Sequence, residues 1–297
     1  MAHHEHLLDA LRKDPAHAHD LIHAAALNGE IAAQFLLGQM CCEGRGRARD
    51  AAEGLHWFRL AANSGLPAAM NMLGRCHELG AGTPCDFALA AVWYRKAALA
   101  GLDWGMYNLA NLLATGRGLE PSRREAWAWY RKAAGLGHAK SMNLVGRYLE
   151  EGWEVEADAL AAREWYRRSA EAGDFRGQAS HAQILIGEGR IVEAAGWLRR
   201  AVLAGSPAFL AHVANDLAAS AHAEIREIAQ LARDRGRGRG GAGRARSRVN
   251  TQRRCASDRG LTPLQGHQMA RRRPVNKAVR VASCRCARRT RQPGCGR

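Results

Sequence analysis

The amino-acid sequence predicts an all-α solenoid of about six helix-turn-helix units, and three recurring features predict it. The first is a Trp-aromatic-basic-small stretch. It appears as Trp57-Phe58-Arg59, Trp93-Tyr94-Arg95-Lys96-Ala97-Ala98, Trp129-Tyr130-Arg131-Lys132-Ala133-Ala134, Trp165-Tyr166-Arg167-Arg168 and Trp197-Leu198-Arg199-Arg200. The tryptophans are spaced 36, 36, 36 and 32 residues apart. A period of roughly 20–50 residues means one supersecondary unit stacked on copies of itself. The second feature is a glycine eight residues after each Trp, at Gly65, Gly101, Gly137, Gly173 and Gly205. The third is a short polar residue seven before each of the first four tryptophans, at Asp50, Asp86, Ser122 and Asp158.

Taken in order, His3 to Lys13 reads as a short helix ending before Asp14-Pro15. His17 to Leu27 is a second helix stopping at Gly29, and it falls in phase with the repeat as a truncated first unit. Five units follow: 30–42 with 50–64, 66–79 with 86–100, 102–115 with 122–136, 138–151 with 158–172, and 174–186 with 190–204. A sixth, 206–219 with 221–234, has lost its Trp and keeps only the spacing from Ile228 to Gly236. The recurring Asp and Ser residues have an N-cap's chemistry, a side-chain oxygen offered to the free N–H groups of a helix start. The glycines at 29, 65, 101, 137, 173 and 205 are expected in the left-handed conformation that follows a helix end. In the first helix of each unit a Leu-small pair recurs, Leu37-Gly38, Leu73-Gly74, Leu109-Ala110 and Val145-Gly146. These small residues let a neighbouring helix approach, and the tryptophans are expected to be the large partners. No unit buries its apolar face alone, so stability comes from stacking on neighbours.

Composition divides the chain. The full sequence of 297 residues carries +16. From Arg235 onward there are nineteen Lys or Arg and one acid, a net charge of +18. Residues 1–234 hold 25 basic and 27 acidic residues, a net of −2. The repeat body therefore gives no general reason to seek nucleic acid. The chain reads as capping helices over 1–29, the solenoid over 30–236 and a basic, low-complexity tail over 237–297. Such a tail, rich in Arg, Gly, Pro and Cys, cannot bury a core and is expected to be disordered. One reading makes it an arm that binds nucleic acid through phosphate contacts. The other notes that the same residues are what GC-rich codons yield in a wrong frame, which would make the tail a frameshift product. The tail has no Phe, Tyr or Trp to stack on bases.

The body cysteines, Cys41, Cys42, Cys76 and Cys85, do not recur at one repeat position, so they are not a disulfide framework laid down per unit. The N-terminus lacks the pattern of a signal peptide, and no apolar run of about 18 residues suggests a membrane span. A cytoplasmic protein is the expectation.

These residues resemble the Sel-one-like repeat family, a branch of the tetratricopeptide-like helical hairpins. Ala69, Leu73-Gly74, Gly80, Gly82, Asp86, Ala90, Trp93-Tyr94, Ala97-Ala98 and Gly101 fit its pattern, and the likeness covers roughly residues 21–236. The tyrosine that the family carries in its first helix is replaced by Cys41, His77, Leu113, Leu149 and Leu185. The resemblance implies a right-handed superhelix and a non-catalytic adaptor that binds a protein partner on its concave face.

In such an array the first helices line the concave face. With 33, 37, 38 and 41 turned to the core, the opposite face is 35, 39 and 42. Across the units this row holds Phe35, Gln39, Asn71, Arg75, Tyr107, Asn111, Asn143, Arg147 and Gln183. Side chains that donate and accept hydrogen bonds at one-repeat intervals suit an extended peptide, with Phe35 and Tyr107 as apolar anchors. The alternative is a solvated face, on which Arg75 with Glu78 and Arg147 with Glu150 are ordinary surface pairs. His19 and His23, one turn apart, could share a metal, but a polar capping helix is the preferred account and no metal site is assigned. Gly44-Arg45-Gly46 and Gly116-Arg117-Gly118 are tight turns rather than phosphate loops, because the Lys-Ser/Thr of a Walker motif is missing. No nucleophile, base and orienting group come together, so neither an enzyme, a cofactor nor a small-molecule substrate is expected.

Overall fold

The computed structural model describes residues 14–246, and these form thirteen helices and no strand. The expected helix over His3–Lys13 and most of the basic tail lie outside the described residues. Helix α1 is Pro15–Leu27, the half unit. Five hairpins follow: α2 (Ile31–Glu43) with α3 (Ala51–Asn63), α4 (Pro67–Leu79) with α5 (Phe87–Leu99), α6 (Asp103–Thr115) with α7 (Arg123–Gly135), α8 (Ala139–Glu151) with α9 (Ala159–Glu171), and α10 (Phe175–Gly187) with α11 (Ile191–Ala204). The last is α12 (Pro207–Leu217) with α13 (Ala223–Arg246). The basic stretch after Asp234 thus begins as a continuation of α13 rather than leaving the helix there.

The helix boundaries have local causes. Asp50 accepts from the N–H groups of Ala52 and Glu53, Asp86 from Leu89, Ser122 from Glu125 and Asp158 from Ala161. Each cap satisfies donors that would otherwise be orphaned. Glycines 29, 65, 101, 137 and 173 take positive φ as expected. Gly205 does not: its φ of −63° and ψ of 149° are extended, because α11 leads into α12 through Ser206-Pro207 without a left-handed step.

The hairpin is closed by a different aromatic from the one anticipated. Phe58, Tyr94 and Tyr166 lie on Gly38, Gly74 and Gly146, where an added Cβ would come within 2.7 to 2.9 Å of the ring. Phe58 and Tyr94 are completely buried, while Trp93, Trp129, Trp165 and Trp197 keep part of their surface. The residue after the Trp is therefore the large partner of the small residue. The reason is helical phase: Ala90, Tyr94, Ala97 and Ala98 share one buried stripe, and position 93 sits at its margin. Each marginal Trp is covered by the cation three residues on. Lys96, Lys132, Arg168 and Arg200 stand 4.2, 4.6, 4.4 and 4.7 Å from their ring centroids. Burying each ring of the Phe58–Tyr94–Tyr130–Tyr166 set contributes on the order of 2–3 kcal/mol.

Successive units pack through the same small-residue logic. First helices approach one another, α4 against α6 and α8 against α10. We take the side that carries the first helices as the inner one. At the C-terminal end the second helices α11 and α13 also pack directly, with Leu198, Leu210, Val213, Ile225 and Ile228 in one core.

Candidate peptide-binding face

The inner face is built from the first helices α2, α4, α6, α8 and α10. Each is thirteen residues long and stands in the same phase, so equivalent side chains repeat from helix to helix. The nine residues singled out from the sequence fall on these helices, but they do not form one uniform row. Arg75 and Gln183 are exposed, and Phe35, Gln39, Tyr107, Asn111 and Arg147 are half-buried. Asn71 and Asn143 are buried between units.

The buried amides tie first helices together. Asn108 Nδ2 donates to Asn71 Oδ1 at 2.8 Å, and one double repeat on, Ser180 Oγ donates to Asn143 Oδ1 at 3.2 Å. Asn111 faces the other way and accepts from the Tyr130 hydroxyl at 2.8 Å. Arg147 lies over the Trp153 ring, 5.1 Å from its centroid, which also meets Tyr148 edge-on. Glu78 and Glu150 accept from the hydroxyls of Tyr94 and Tyr166, at 2.5 and 2.7 Å. These two carboxylates are thereby drawn toward the second helices at the C-terminal rim of the face.

A denser cluster lies at the N-terminal ends of α6, α8 and α10. Trp104 is 44% exposed and meets Tyr107 edge-on at 6.1 Å. His138, only 5% exposed, is held between them with centroids at 4.7 Å from Trp104 and 4.8 Å from Tyr107. Its Nδ1 caps α8 by accepting from the Ser141 N–H at 3.3 Å and lies 2.8 Å from Ser141 Oγ. Its Nε2 is buried without a hydrogen-bond partner. Burial lowers the His138 pKa, which keeps the ring neutral at pH 7. Lys140 Nζ stands over both rings, at 4.7 Å from Trp104 and 5.9 Å from Tyr107. Arg176, one unit further, is exposed and acts on Tyr107 and Asp174. Asp174 is buried, caps α10 through Gly177, and has its pKa pushed up by desolvation.

The sequence reading missed Trp104, Lys140 and Arg176. The signal was available: they are spaced 36 residues apart, one turn before the row that was read. The glycine turns are as expected, since Gly44, Gly46, Gly116 and Gly118 all take positive φ. His19 and His23 stack at 6.2 Å, and among the described residues no three His, Cys, Asp or Glu side chains could hold a metal together. No described helix is long and apolar enough to cross a membrane.

A family model for the Sel1 repeat matches residues 31–66, 67–102, 105–138 and 139–174. Three of its units begin one residue after the expected unit starts at 30, 66 and 138, and the third begins three after 102. The chain is similar to the crystal structure of a Sel1 repeat protein from Oxalobacter formigenes, with a TM-score of 0.68 and 26% identity over 79% of this chain and 98% of that one. It is also similar to c5321, a protective antigen of uropathogenic Escherichia coli that displays an SLR fold. There the TM-score is 0.60 and the identity 28%, over 79% of this chain and 53% of that one. No curated protein matches significantly.

Proposed function

We propose that the protein, whose residues 31–66, 67–102, 105–138 and 139–174 match the Sel1 repeat, is a non-enzymatic scaffold whose inner face holds an extended segment of a protein partner. Sel1 repeat proteins are commonly protein-interaction scaffolds. The observation that carries the reading is the placement of Gln39, Arg75, Asn111, Arg147 and Gln183, one per unit, at the same turn of five consecutive first helices. An extended chain leaves its own N–H and C=O groups unpaired, and Gln39, Arg75 and Gln183 offer partners along the face, while Asn111 is engaged by Tyr130 and Arg147 lies over Trp153. Phe35 and Tyr107 add apolar surface within the same row, and both keep part of it uncovered.

The test is site-specific photo-crosslinking in cells that express the full chain. A photoreactive side chain is placed at 39, 75 or 111 on the inner face, and at 59 or 95 on the second helices. The expected outcome is one protein adduct obtained from the three inner positions and absent from the outer two. Adducts formed equally from 59 and 95 would remove the inner-face assignment.

A further inference from the structure

Four positions per unit form the floor of the inner face: 32, 35, 36 and 39, with their equivalents at 36-residue steps through α10. These twenty positions hold four cations, Arg75, Lys140, Arg147 and Arg176, and no acid. The carboxylates lie at the margins. Glu78 and Glu150 are engaged by tyrosine hydroxyls at one rim, and Asp174 is buried as the cap of α10. Asp103 takes the N–H of Trp104 at the first turn of α6. Of these acids Asp174 is the one that Lys140 and Arg176 both act on, and it is buried, with desolvation disfavouring its charge, so the exposed floor itself stays cationic.

The sorting is sharpest at one point. Trp104 presents an exposed indole, Tyr107 lies against it, Lys140 stands over both, and Arg176 follows one unit on. We infer that the segment held on this face is acidic, with an apolar side chain seated on Trp104 and Tyr107 and two carboxylates running on to Lys140 and Arg176. This rests on the inner-face reading above and adds the chemistry of the partner. The spacing follows from the repeat. First helices of successive units are packed directly at only some steps, so their axes lie at least the about 8–10 Å of packed helices apart, and an extended chain rising about 3.3 Å per residue places successive anchors about three residues apart or slightly more. The anchor order is then apolar, acidic, acidic at intervals of about three. A single-stranded nucleic acid fits less well, because its phosphates follow at every residue, whereas Lys140 and Arg176 stand one unit apart.

The probe is a fluorescent nine-residue peptide with Leu followed by Glu at the third and sixth positions after it, and the same peptide with both Glu replaced by Gln. Binding is read by anisotropy with the full chain. The acidic peptide should bind more tightly than the Gln peptide, with an affinity that falls as salt rises. In the variant Lys140→Glu/Arg176→Glu the acidic peptide should lose about tenfold or more, as expected for removing close charge pairs. The control Arg59→Glu/Arg95→Glu makes the same change in net charge on exposed positions of α3 and α5 and should bind as the wild type does. Circular dichroism melts show whether each variant remains folded. Equal affinity for the Glu and Gln peptides overturns the inference, and so does an equal loss in both double variants, which would assign binding to bulk charge. A single-stranded oligonucleotide that depends on Lys140 and Arg176 where the peptide does not would also overturn it. If positions 39, 75 and 111 still crosslink a protein through a segment without acids, the scaffold reading stands and only the acidic preference falls.

Discussion

At the scale of single residues, departures from the repeat carry the most information. Glu154 has φ +58°, the one described non-glycine residue in the left-handed region, and it stands where Gly46, Gly82 and Gly118 stand in the other units. A side chain there strains the backbone, so Glu154→Gly should raise the urea midpoint by an amount worth about 1 kcal/mol. The reverse change, Gly82→Glu, should cost more than that, because an added Cβ would lie 2.2 Å from the Ala51 carbonyl oxygen at the start of α3. His181 is a second departure, since it occupies the place of Leu37, Leu73, Leu109 and Val145. It is buried with an unpartnered Nδ1, and burial lowers its pKa, as it does for His19, His77 and His138. A folded pKa below the unfolded value means that the unfolded chain binds more protons. Stability from these four groups is therefore complete above about pH 6.5 and is lost as pH falls through the lower folded values. Urea midpoints measured at pH 7.5 and 5.5 should fall with acid, and His181→Leu should shrink the difference. A midpoint that does not move between these pH values would mean the four rings are not buried neutral.

At the scale of the helix, the hairpin was largely legible in the sequence. A cap at Asp50, Asp86, Ser122 or Asp158 and a glycine after the second helix are local signals, set by backbone groups that must find partners wherever the chain folds. Replacing Asp86 or Asp158 by Ala should cost about 1 kcal/mol each, read as a lower unfolding midpoint, since both are exposed caps whose carboxylates take one helix N–H apiece. What the sequence left obscure was which side of each helix meets which neighbour. The Trp is the conspicuous residue of the repeat, yet Phe58, Tyr94, Tyr130 and Tyr166 fill the hairpin, and the rings of Trp93, Trp129, Trp165 and Trp197 lie at its margin under cations, while Trp57 alone is buried. Helical phase decides this, and a shift of one position along the helix turns a side chain by about 100°. The same uncertainty hid Trp104, Lys140 and Arg176, one turn from the row that was read. The asparagines show a further limit: Asn71 and Asn143 looked like partner ligands, but their side-chain oxygens are taken by Asn108 and Ser180 of the next unit. Only a structure distinguishes an amide that greets a partner from one that joins two helices.

At the scale of the whole array, stability should be distributed by neighbour contacts rather than shared evenly, because each unit touches only the units beside it. The C-terminal end is built differently from the middle. The connection inside the fifth hairpin is three residues long, 188–190, against seven in the first, 44–50. Arg190 at the start of α11 makes no side-chain cap and pairs with Glu188 and Glu193. There α13 packs on both α11 and α12, and Ile225, Ile228, Ala229 and Ala232 close the core over Leu198 and Val202. The degenerate sixth unit therefore acts as a lid on the fifth. In the substitution Ile225→Asp, an uncompensated charge is placed in that core, a change that costs several kcal/mol locally. Hydrogen exchange followed by mass spectrometry should show α10 to α13 losing protection while α4 to α7 keep theirs, since α8 and α9 intervene and the middle units retain both neighbours. Loss of protection across the entire array in a single step would show that the repeats unfold as one cooperative block. In that case the inner face would be a rigid template whose every unit depends on the last, and mutations far from Trp104 and Lys140 would weaken binding there as much as changes to those residues.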